Sequence, residues 1–319
     1  MTAELPPETV YRPFEPGPYR MALGLTTIPD SQWFEIDRLY PDEMHQRRHL
    51  LSERHADVFA ATSGSEAARW EALAAIAANL TTHHPAWFDR SGDTLHNRLT
   101  GEAWHLPAPG CDPLECAGRL VQEDLCLIQA TETGPLFTAG VLCFPSRWRL
   151  REKIGLPLAA VHGPVPFYAE RLARAVDRFM RAVKPDHIAS RLNWSVLDDA
   201  ALFQPTGKWQ QAENPAITAA NAGERLHLRV ERQTLRRLPR SAAILFGIRV
   251  HTARLCRVLA TRDDAARLAA ALRALPDDVL HYKSMLPFRA ALLSWLDARP
   301  NAGPGQQGRP VLCRVTAID

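Results

Sequence analysis

The stretch of sequence that decides the fold is LCLIQATETGPLFTAGVLCF, residues 125–144. Two apolar runs, 125–130 and 136–144, flank the short segment 131–135, which contains Gly134. Apolar runs of this length on either side of a glycine-containing turn are typical of a β-hairpin. We therefore expect the central sheet to begin here, and we place the other elements around this hairpin.

The segments after the hairpin predict three more strands behind a helical insertion. Residues 145–166 are irregular, and residues 168–183 carry apolar side chains on one helical stripe. Strand patterns follow at 187–196, 226–238 and 242–250. This order predicts a five-stranded antiparallel sheet crossed by one helical segment. Because helices and strands do not alternate regularly, the fold class is α+β rather than doubly wound.

Helical patterns flank this sheet on both sides. One begins near Ser31, with Trp33, Ile36 and Tyr40 at helical spacing. The other patterns cover 65–80, 263–274, 276–283 and 287–298, and a long connection is expected at 84–112.

These patterns also predict the domain organisation. We expect an extended N-terminal arm at 1–30, a single domain at 31–298 and a loose C-terminal tail at 299–319, with a short apolar run at 311–315.

Composition excludes several classes of partner. The chain has 34 Arg but only 4 Lys, and its formal net charge is +3, which gives no electrostatic case for nucleic acid or an anionic membrane. Codon bias explains the total excess of arginine over lysine. At particular positions we consider a second explanation, the recognition of planar anions, for which Arg is better suited than Lys. No apolar run reaches the roughly 18–20 residues of a membrane span, and the N-terminus lacks a secretory pattern, so we expect a cytoplasmic protein.

The strand LHLRVERQTLRRLP, residues 226–239, carries polar residues where an apolar face is expected. Arg232 and Arg236 fall in the same alternating series as Leu228 and Val230. Two explanations stay open. The strand turns these arginines to solvent through a bulge or an edge, or they line an anion or cofactor pocket, with Glu231 as an available counter-charge. On the preceding strand, Arg191 and Asn193 share one face and Trp194 lies on the other.

Two loop features add candidate ligands. The segment FPSRWRLREKIG, residues 144–155, places Arg147 and Arg149 beside Trp148, which suits a carboxylate or phosphate but is also typical of a solvated helix start. His162 stands alone in an apolar loop that Pro164 and Pro166 stiffen, as an axial metal ligand would require. The six cysteines form no C-x-x-C pair, and dinucleotide, P-loop and hydrolase motifs are absent from the sequence.

Five ordered runs resemble one known family, that of the haem-dependent oxidative N-demethylases. The resemblance covers roughly residues 33–296. The runs are LVQEDLCL (120–127), FPSRWRLREKIG (144–155), VHGPVPFYAERLARAVDRF (161–179), RLNWSVLDDAALFQP (191–205) and LRVERQTLRRLP (228–239).

This resemblance implies a PAS-like sheet that holds haem b, iron protoporphyrin IX. It implies oxygen-dependent demethylation of a small secondary amine such as dimethylamine, giving a primary amine and formaldehyde. In the family the haem subunit works beside a separate electron-donating reductase and, in the complete enzyme, a folate-binding subunit. The sequence itself shows no flavin, nicotinamide or iron–sulfur motif, so the electrons are expected from another protein.

The resemblance also suggests roles for individual residues. His162 is the expected axial iron ligand. The expected propionate and porphyrin contacts are Arg147, Arg149, Arg191, Arg232, Arg236 and Trp148. The expected catalytic residues beside the iron are Glu231, Gln233 and Asn193, and the expected walls are Trp148, Trp194 and Phe246.

Alternatives of other classes remain. A PAS-like haem protein can act as a sensor or carrier without turnover, because a fold does not fix a function. A relative that keeps the scaffold without haem is a further alternative, and a nucleic-acid role is disfavoured by the small net charge.

Overall fold

The computed structural model describes residues 4–106, 110–132 and 134–299. The strands are β1 (Thr26–Ile28), β2 (Phe59–Ala61), β3 (Phe88–Ser91), β4 (Thr94–Asn97), β5 (Glu102–His105), β6 (Asp124–Thr131), β7 (Gly134–Val141), β8 (Ile188–Leu197), β9 (His227–Arg237) and β10 (Ile244–Arg254). The α-helices are α1 (Tyr40–Glu53), α2 (His55–Val58), α3 (Glu66–His83), α4 (Pro113–Gly118), α5 (Leu158–Val161), α6 (Tyr168–Arg171), α7 (Ala173–Ala182), α8 (Ala222–Arg225), α9 (Leu255–Val258), α10 (Arg262–Ala274), α11 (Asp277–Tyr282) and α12 (Arg289–Asp297).

The main sheet has seven antiparallel strands in the order β1-β8-β9-β10-β6-β7-β2. The predicted α+β class and the hairpin β6–β7 are confirmed. The five strands in the middle, β8-β9-β10-β6-β7, are those that the sequence predicted. The strand number was predicted too low, because β1 and β2 have only three residues each and give no alternating pattern.

Two further predictions about the N-terminal half were wrong. The expected connection at 84–112 contains a second sheet of three four-residue strands, β3-β4-β5. The helix expected from Ser31 begins only at Tyr40, and only a short 3₁₀ turn, Asp30–Gln32, precedes it. Trp33 and Ile36 are buried without belonging to a helix, so their spacing reflected core contacts. The predicted tail lies, apart from Arg299, outside the described residues.

The main sheet has a packed face and an open face. On the packed face, α1 and α3 contribute Tyr40 and Ile76 to a core shared with Leu125 and Leu127 of β6. Buried ion pairs lie in this layer, and the fully buried Arg249 contacts both Asp37 and Glu43. On the open face, helices α5 to α7 cover part of the sheet and leave a cavity beside it.

The C-terminal helices form a second core at the other end of the chain. Leu268 and Leu272 of α10 pack with Leu292 of α12 and with Leu228 and Val230 of β9. A capping box between Thr261 and Asp264 begins α10. Among the described helices, none is long and apolar enough to cross a membrane.

Candidate active site

The cavity on the open face of the sheet has a volume of about 520 Å³. Because side chains alternate along a strand, β6, β9 and β10 contribute every second residue to this cavity, whereas β8 lines it with consecutive residues from Arg191 to Ser195. We call it the sheet-face cavity. Its strand residues include Cys126, Ile128, Arg191, Asn193, Glu231, Gln233, Phe246 and Ile248. Its size and mixed lining are those of a pocket for a small molecule or cofactor.

Glu231 is the carboxylate of this cavity with the most hydrogen bonds. Ser146 Oγ donates to Oε1 at 2.6 Å, and Asn193 Nδ2 and Gln233 Nε2 donate to Oε2 at 3.1 and 2.8 Å. Burial disfavours the charged form, but these hydrogen bonds and the nearby charge of Arg229 together outweigh it and lower the pKa of Glu231. No Lys, Arg or His nitrogen of the described residues lies within 4.0 Å of this carboxylate. The site therefore holds a buried negative charge without a contacting counter-ion.

Arg229 positions the loop that reaches Glu231. Arg229 is 2% exposed, and its guanidinium donates to Ser146 Oγ at 2.9 Å and to the Phe144 carbonyl at 2.8 Å. Two further acceptors, the carbonyls of Ala201 and Leu202, each lie at 3.0 Å. Because an Arg only donates, the Ser146 hydroxyl accepts from Arg229 and turns its own hydrogen to Glu231.

The arginines of the cavity carry donors that lack acceptors. Arg147 contacts Asp198 at 2.5 Å, but its buried Nη1 has no hydrogen-bond partner. Arg147 also has a φ of +61°, a backbone conformation that non-glycine residues rarely adopt and that clusters at functional sites. The buried Nε of Arg191 likewise lacks a partner, and burial lowers the pKa of this side chain. These donors suit a bound carboxylate.

His162 lies at the C-terminal end of α5 and is fixed on two sides. Its Nδ1 is 2.9 Å from the Leu158 carbonyl, and its ring stacks on Tyr168 with centroids 4.7 Å apart. Since a carbonyl only accepts, Nδ1 carries the proton. Burial lowers the pKa of His162, with help from the charges of Lys153 and Arg191, which favours the neutral ring. The neutral ring then has a lone pair on Nε2, which is the form that binds a metal.

Three lysines complete the lining of the cavity. Lys283 Nζ donates to Asn193 Oδ1 at 3.0 Å, and Lys208 Nζ lies 4.1 Å from the centroid of the Tyr282 ring. Lys153 Nζ donates to the Val161 carbonyl at 2.8 Å. Burial lowers the pKa of Lys208 and of Lys283 to about 8, because it disfavours the charged ammonium.

The structure brings together most, but not all, of the side chains that the sequence suggested. Those that line the cavity are His162, Arg147, Trp148, Arg191, Asn193, Trp194, Glu231, Gln233 and Phe246. Arg149, Arg232 and Arg236 are not among the lining residues.

Arg232 and Arg236 lie on the packed face of the sheet. Arg232 donates to the carbonyls of Gln32 and Trp33, and Arg236 pairs with Asp30 at 2.7 Å and lies over the Trp33 ring. Both therefore face the N-terminal segment, where the Arg232 side chain is buried and the Arg236 side chain is 22% exposed.

Sequence patterns missed several residues that line the cavity. Ser146 was overlooked because its role depends on Arg229, more than eighty residues away. Residues 13–15 and 17–22 of the expected arm line the cavity as well. The three lysines did leave a signal. The whole chain has four lysines, and Lys153, Lys208 and Lys283 all lie here.

The fold and the cavity together define an α+β protein with a pocket for a charged ligand or cofactor. A family model described as haem-dependent oxidative N-demethylase, alpha subunit-like, matches residues 24–293. The chain belongs to this family. At family level the function is that of an oxidoreductase, a haem-dependent oxidative N-demethylase, and the alpha-subunit description implies an enzyme of several subunits.

Proposed function

We propose that the sheet-face cavity binds haem b and that this chain catalyses the oxidative N-demethylation of a small secondary amine such as dimethylamine. The observation that carries the proposal is Glu231, a buried carboxylate with a lowered pKa, three neutral donors and no contacting cation among the described residues.

A buried charge is costly unless an opposite charge accompanies it, and the cations Arg229 and Lys283 reach Glu231 only through Ser146 and Asn193. A dialkylamine is protonated at neutral pH and offers two N–H donors on a small apolar body. The three donors to Glu231 leave acceptor capacity on the carboxylate for such a cation. The aromatic walls Trp194 and Phe246 suit its methyl groups and its charge. In this role Glu231 stays ionised and binds and orients the ammonium.

Three properties of the cavity fit haem. Its walls include apolar and aromatic side chains, the unpaired donors of Arg147 and Arg191 suit propionates, and His162 offers Nε2 to iron. Among the described residues, no three of His, Cys, Asp and Glu could hold a metal ion by themselves. Haem needs only an axial ligand from the protein, because the porphyrin supplies the other nitrogens. When bound, haem supplies the iron at which dioxygen is activated.

The reaction consumes two electrons. Dimethylamine, O₂, two protons and two electrons give methylamine, formaldehyde and water. We propose that a separate reductase subunit supplies the electrons and that a folate-binding subunit receives the formaldehyde, as the family resemblance implies. The central strand order β8-β9-β10-β6-β7 supports a PAS-like sheet as the haem-binding element, and we expect a cytoplasmic location.

Haem binding is tested by titrating the purified protein with haemin and following the Soret band. His162→Ala should abolish or shift this band, whereas His84→Ala should leave it unchanged. His84 is the matched control, because it is also a partly buried histidine with a lowered pKa but does not line the cavity. An unchanged Soret band in His162→Ala would overturn the axial assignment.

Turnover is tested by measuring formaldehyde and methylamine from dimethylamine with O₂ and a chemical reductant. Equal amounts of the two products are expected. A haem-loaded protein whose spectrum no amine perturbs, and which forms no formaldehyde, would instead be a haem-binding sensor or carrier.

A further inference from the structure

The outer face of α7 carries three arginines without ion-pair partners. Arg174, Arg178 and Arg181 follow one another at i, i+4 and i+7, so they share one side of the helix. All three are exposed, and Asp177 lies among them. No carboxylate oxygen of the described residues lies within 4.0 Å of any of the three guanidinium groups. We call these three residues the α7 arginine face.

Some other exposed arginines among the described residues have carboxylate partners. Arg38, Arg54 and Arg273, for example, are exposed and each contacts a carboxylate. Like charges at i and i+4 destabilise a helix, and here no carboxylate contact relieves them. The helix is held from its other side, where Arg237 donates to the carbonyls of Met180 and Val183 at its C-terminal end.

The inner side of the same helix segment borders the sheet-face cavity. Leu172 and Val176 line the cavity and pack with Ile128 and Leu235 of the sheet. The α7 arginine face is therefore separated from the cavity by one helix, a thickness of about 10–12 Å. A protein bound to this face would lie close to whatever the cavity holds.

We propose that the α7 arginine face binds the acidic surface of an electron-donor protein that carries a flavin or an iron–sulfur cluster. This inference rests on the proposed function, because the demethylation consumes two electrons and this chain shows no motif for such a donor group. In each encounter the partner's cofactor would lose one electron, which the bound haem would accept, so two encounters would supply the two electrons of one turnover.

Charge complementarity favours a protein over a membrane or a nucleic acid. Within the described ranges, the exposed large hydrophobic side chains are Val10, Trp70, Leu156 and Trp209, none of which belongs to α7, so this helix presents no large exposed apolar side chain to lipid. The net charge of +3 is too small for a polyanion binder, whereas a compact cluster of arginines suits a carboxylate-rich protein surface.

The test uses an acidic flavodoxin as the probe and two charge-reversed variants of the full chain. The first carries Arg174→Glu, Arg178→Glu and Arg181→Glu. The second is the matched control, with Arg254→Glu, Arg257→Glu and Arg262→Glu, three exposed arginines outside the cavity lining. Both variants have the same net charge, so only the position of the change differs. Circular dichroism and thermal melting establish whether each variant is folded. If the first variant is not folded, a variant with Ala in place of Glu at the same three positions is used instead.

Binding of flavodoxin is measured by calorimetry at low salt, and reduction of the haem-loaded protein by reduced flavodoxin is measured by stopped flow. We expect the first variant to lose about tenfold or more in association rate and to lose most of its salt dependence, while the control stays close to the unmodified protein. Equal losses in both variants, or tight flavodoxin binding by the first, would overturn the proposal. The proposal would also be overturned if the unmodified protein does not bind flavodoxin but does bind phosphatidylglycerol vesicles or duplex DNA, and only the first variant loses that binding.

The two proposals fail in different ways. If haem does not bind, no Soret band appears, yet the calorimetric arm still reports whether the α7 arginine face binds an acidic protein. If haem binds and dithionite reduces it, but flavodoxin neither binds nor reduces it through α7, only the docking proposal is lost.

Discussion

Replacing Glu231 by Gln removes the negative charge of the cavity at nearly constant shape. In the unmodified protein, Ser146, Asn193 and Gln233 all donate to the carboxylate. The amide of Gln has one acceptor oxygen, so at least one of these donors would meet an NH₂ group. Losing one partner of a buried, hydrogen-bonded charge pair costs about 2–5 kcal/mol. The lower end of this range corresponds to about a 30-fold weaker binding of dimethylammonium, since about 1.4 kcal/mol is tenfold.

The assay is calorimetric titration of dimethylammonium chloride into the haem-loaded protein at pH 7, compared with dimethyl sulfide as a neutral ligand of similar shape. Gln233→Ala is the control, because it removes one donor but keeps the charge, and a loss of about 1 kcal/mol is expected. Glu231→Gln should weaken the binding of dimethylammonium and leave the binding of dimethyl sulfide almost unchanged. If a folded Glu231→Gln variant binds dimethylammonium as tightly as the unmodified protein, Glu231 is not the ammonium-binding group.

The same carboxylate sets a pH dependence whose sign follows from its pKa. The pKa of Glu231 in the folded protein is below its usual value of 4.5, so the group stays ionised throughout the neutral range. Its contribution to stability is present above pH 4.5 and is lost as the pH falls through the folded pKa. Dimethylammonium binding should likewise stay constant from pH 7 down to about pH 5 and weaken only at lower pH, as measured by the same titration.

Three further predictions concern the scaffold. Burial raises the pKa of Glu123 to about 7, so the folded protein holds this proton when the unfolded chain has lost it. The free energy of unfolding should therefore fall by about 3 kcal/mol as the pH rises from 4.5 to 7. Glu123→Gln should flatten this pH dependence in urea unfolding, and an unchanged pH dependence would refute the assignment. Gly223→Ala should lower the melting temperature, because the new Cβ would lie 2.1 Å from Trp295 Cζ2. The expected loss in the free energy of unfolding is about 1–3 kcal/mol or more. Glu224→Ala is the exposed control on the same helix, and equal melting temperatures of the two variants would contradict the predicted clash. Arg229→Met should lower the free energy of unfolding, measured in urea, by about 3 kcal/mol or more, because it leaves several buried carbonyls without a donor. A loss below about 1 kcal/mol would show that water replaces the guanidinium.

Local patterns predicted the sheet well because they report the alternation of side chains. The long strands β8, β9 and β10 have ten or eleven residues each, enough for the pattern to repeat several times. The same alternation placed Glu231 and Gln233 on one face and Arg232 on the other, as the structure has them. Strands of three or four residues gave no such repetition and were missed.

Local patterns could not decide which face of β9 borders the cavity. Arg232 was suggested as a cofactor ligand because an arginine in an apolar series needs an acceptor. Its acceptors turned out to be the carbonyls of Gln32 and Trp33, about two hundred residues earlier in the chain. A contact at that separation depends on how the N-terminal segment packs across the sheet, and no spacing within the strand reports it.

The distribution of lysine connects composition to the chemistry of the cavity. Codon bias can account for an excess of arginine over lysine, but it does not account for three of the four lysines lying in one cavity. An arginine keeps its charge in every environment, whereas the charge of a buried lysine responds to its neighbours. Burial already lowers the pKa of Lys208 and Lys283 to about 8, so a bound anion would raise it and a bound cation would lower it further. In the proposed function, positive charge that adjusts in this way suits a cavity that takes a dianionic cofactor beside a cationic substrate.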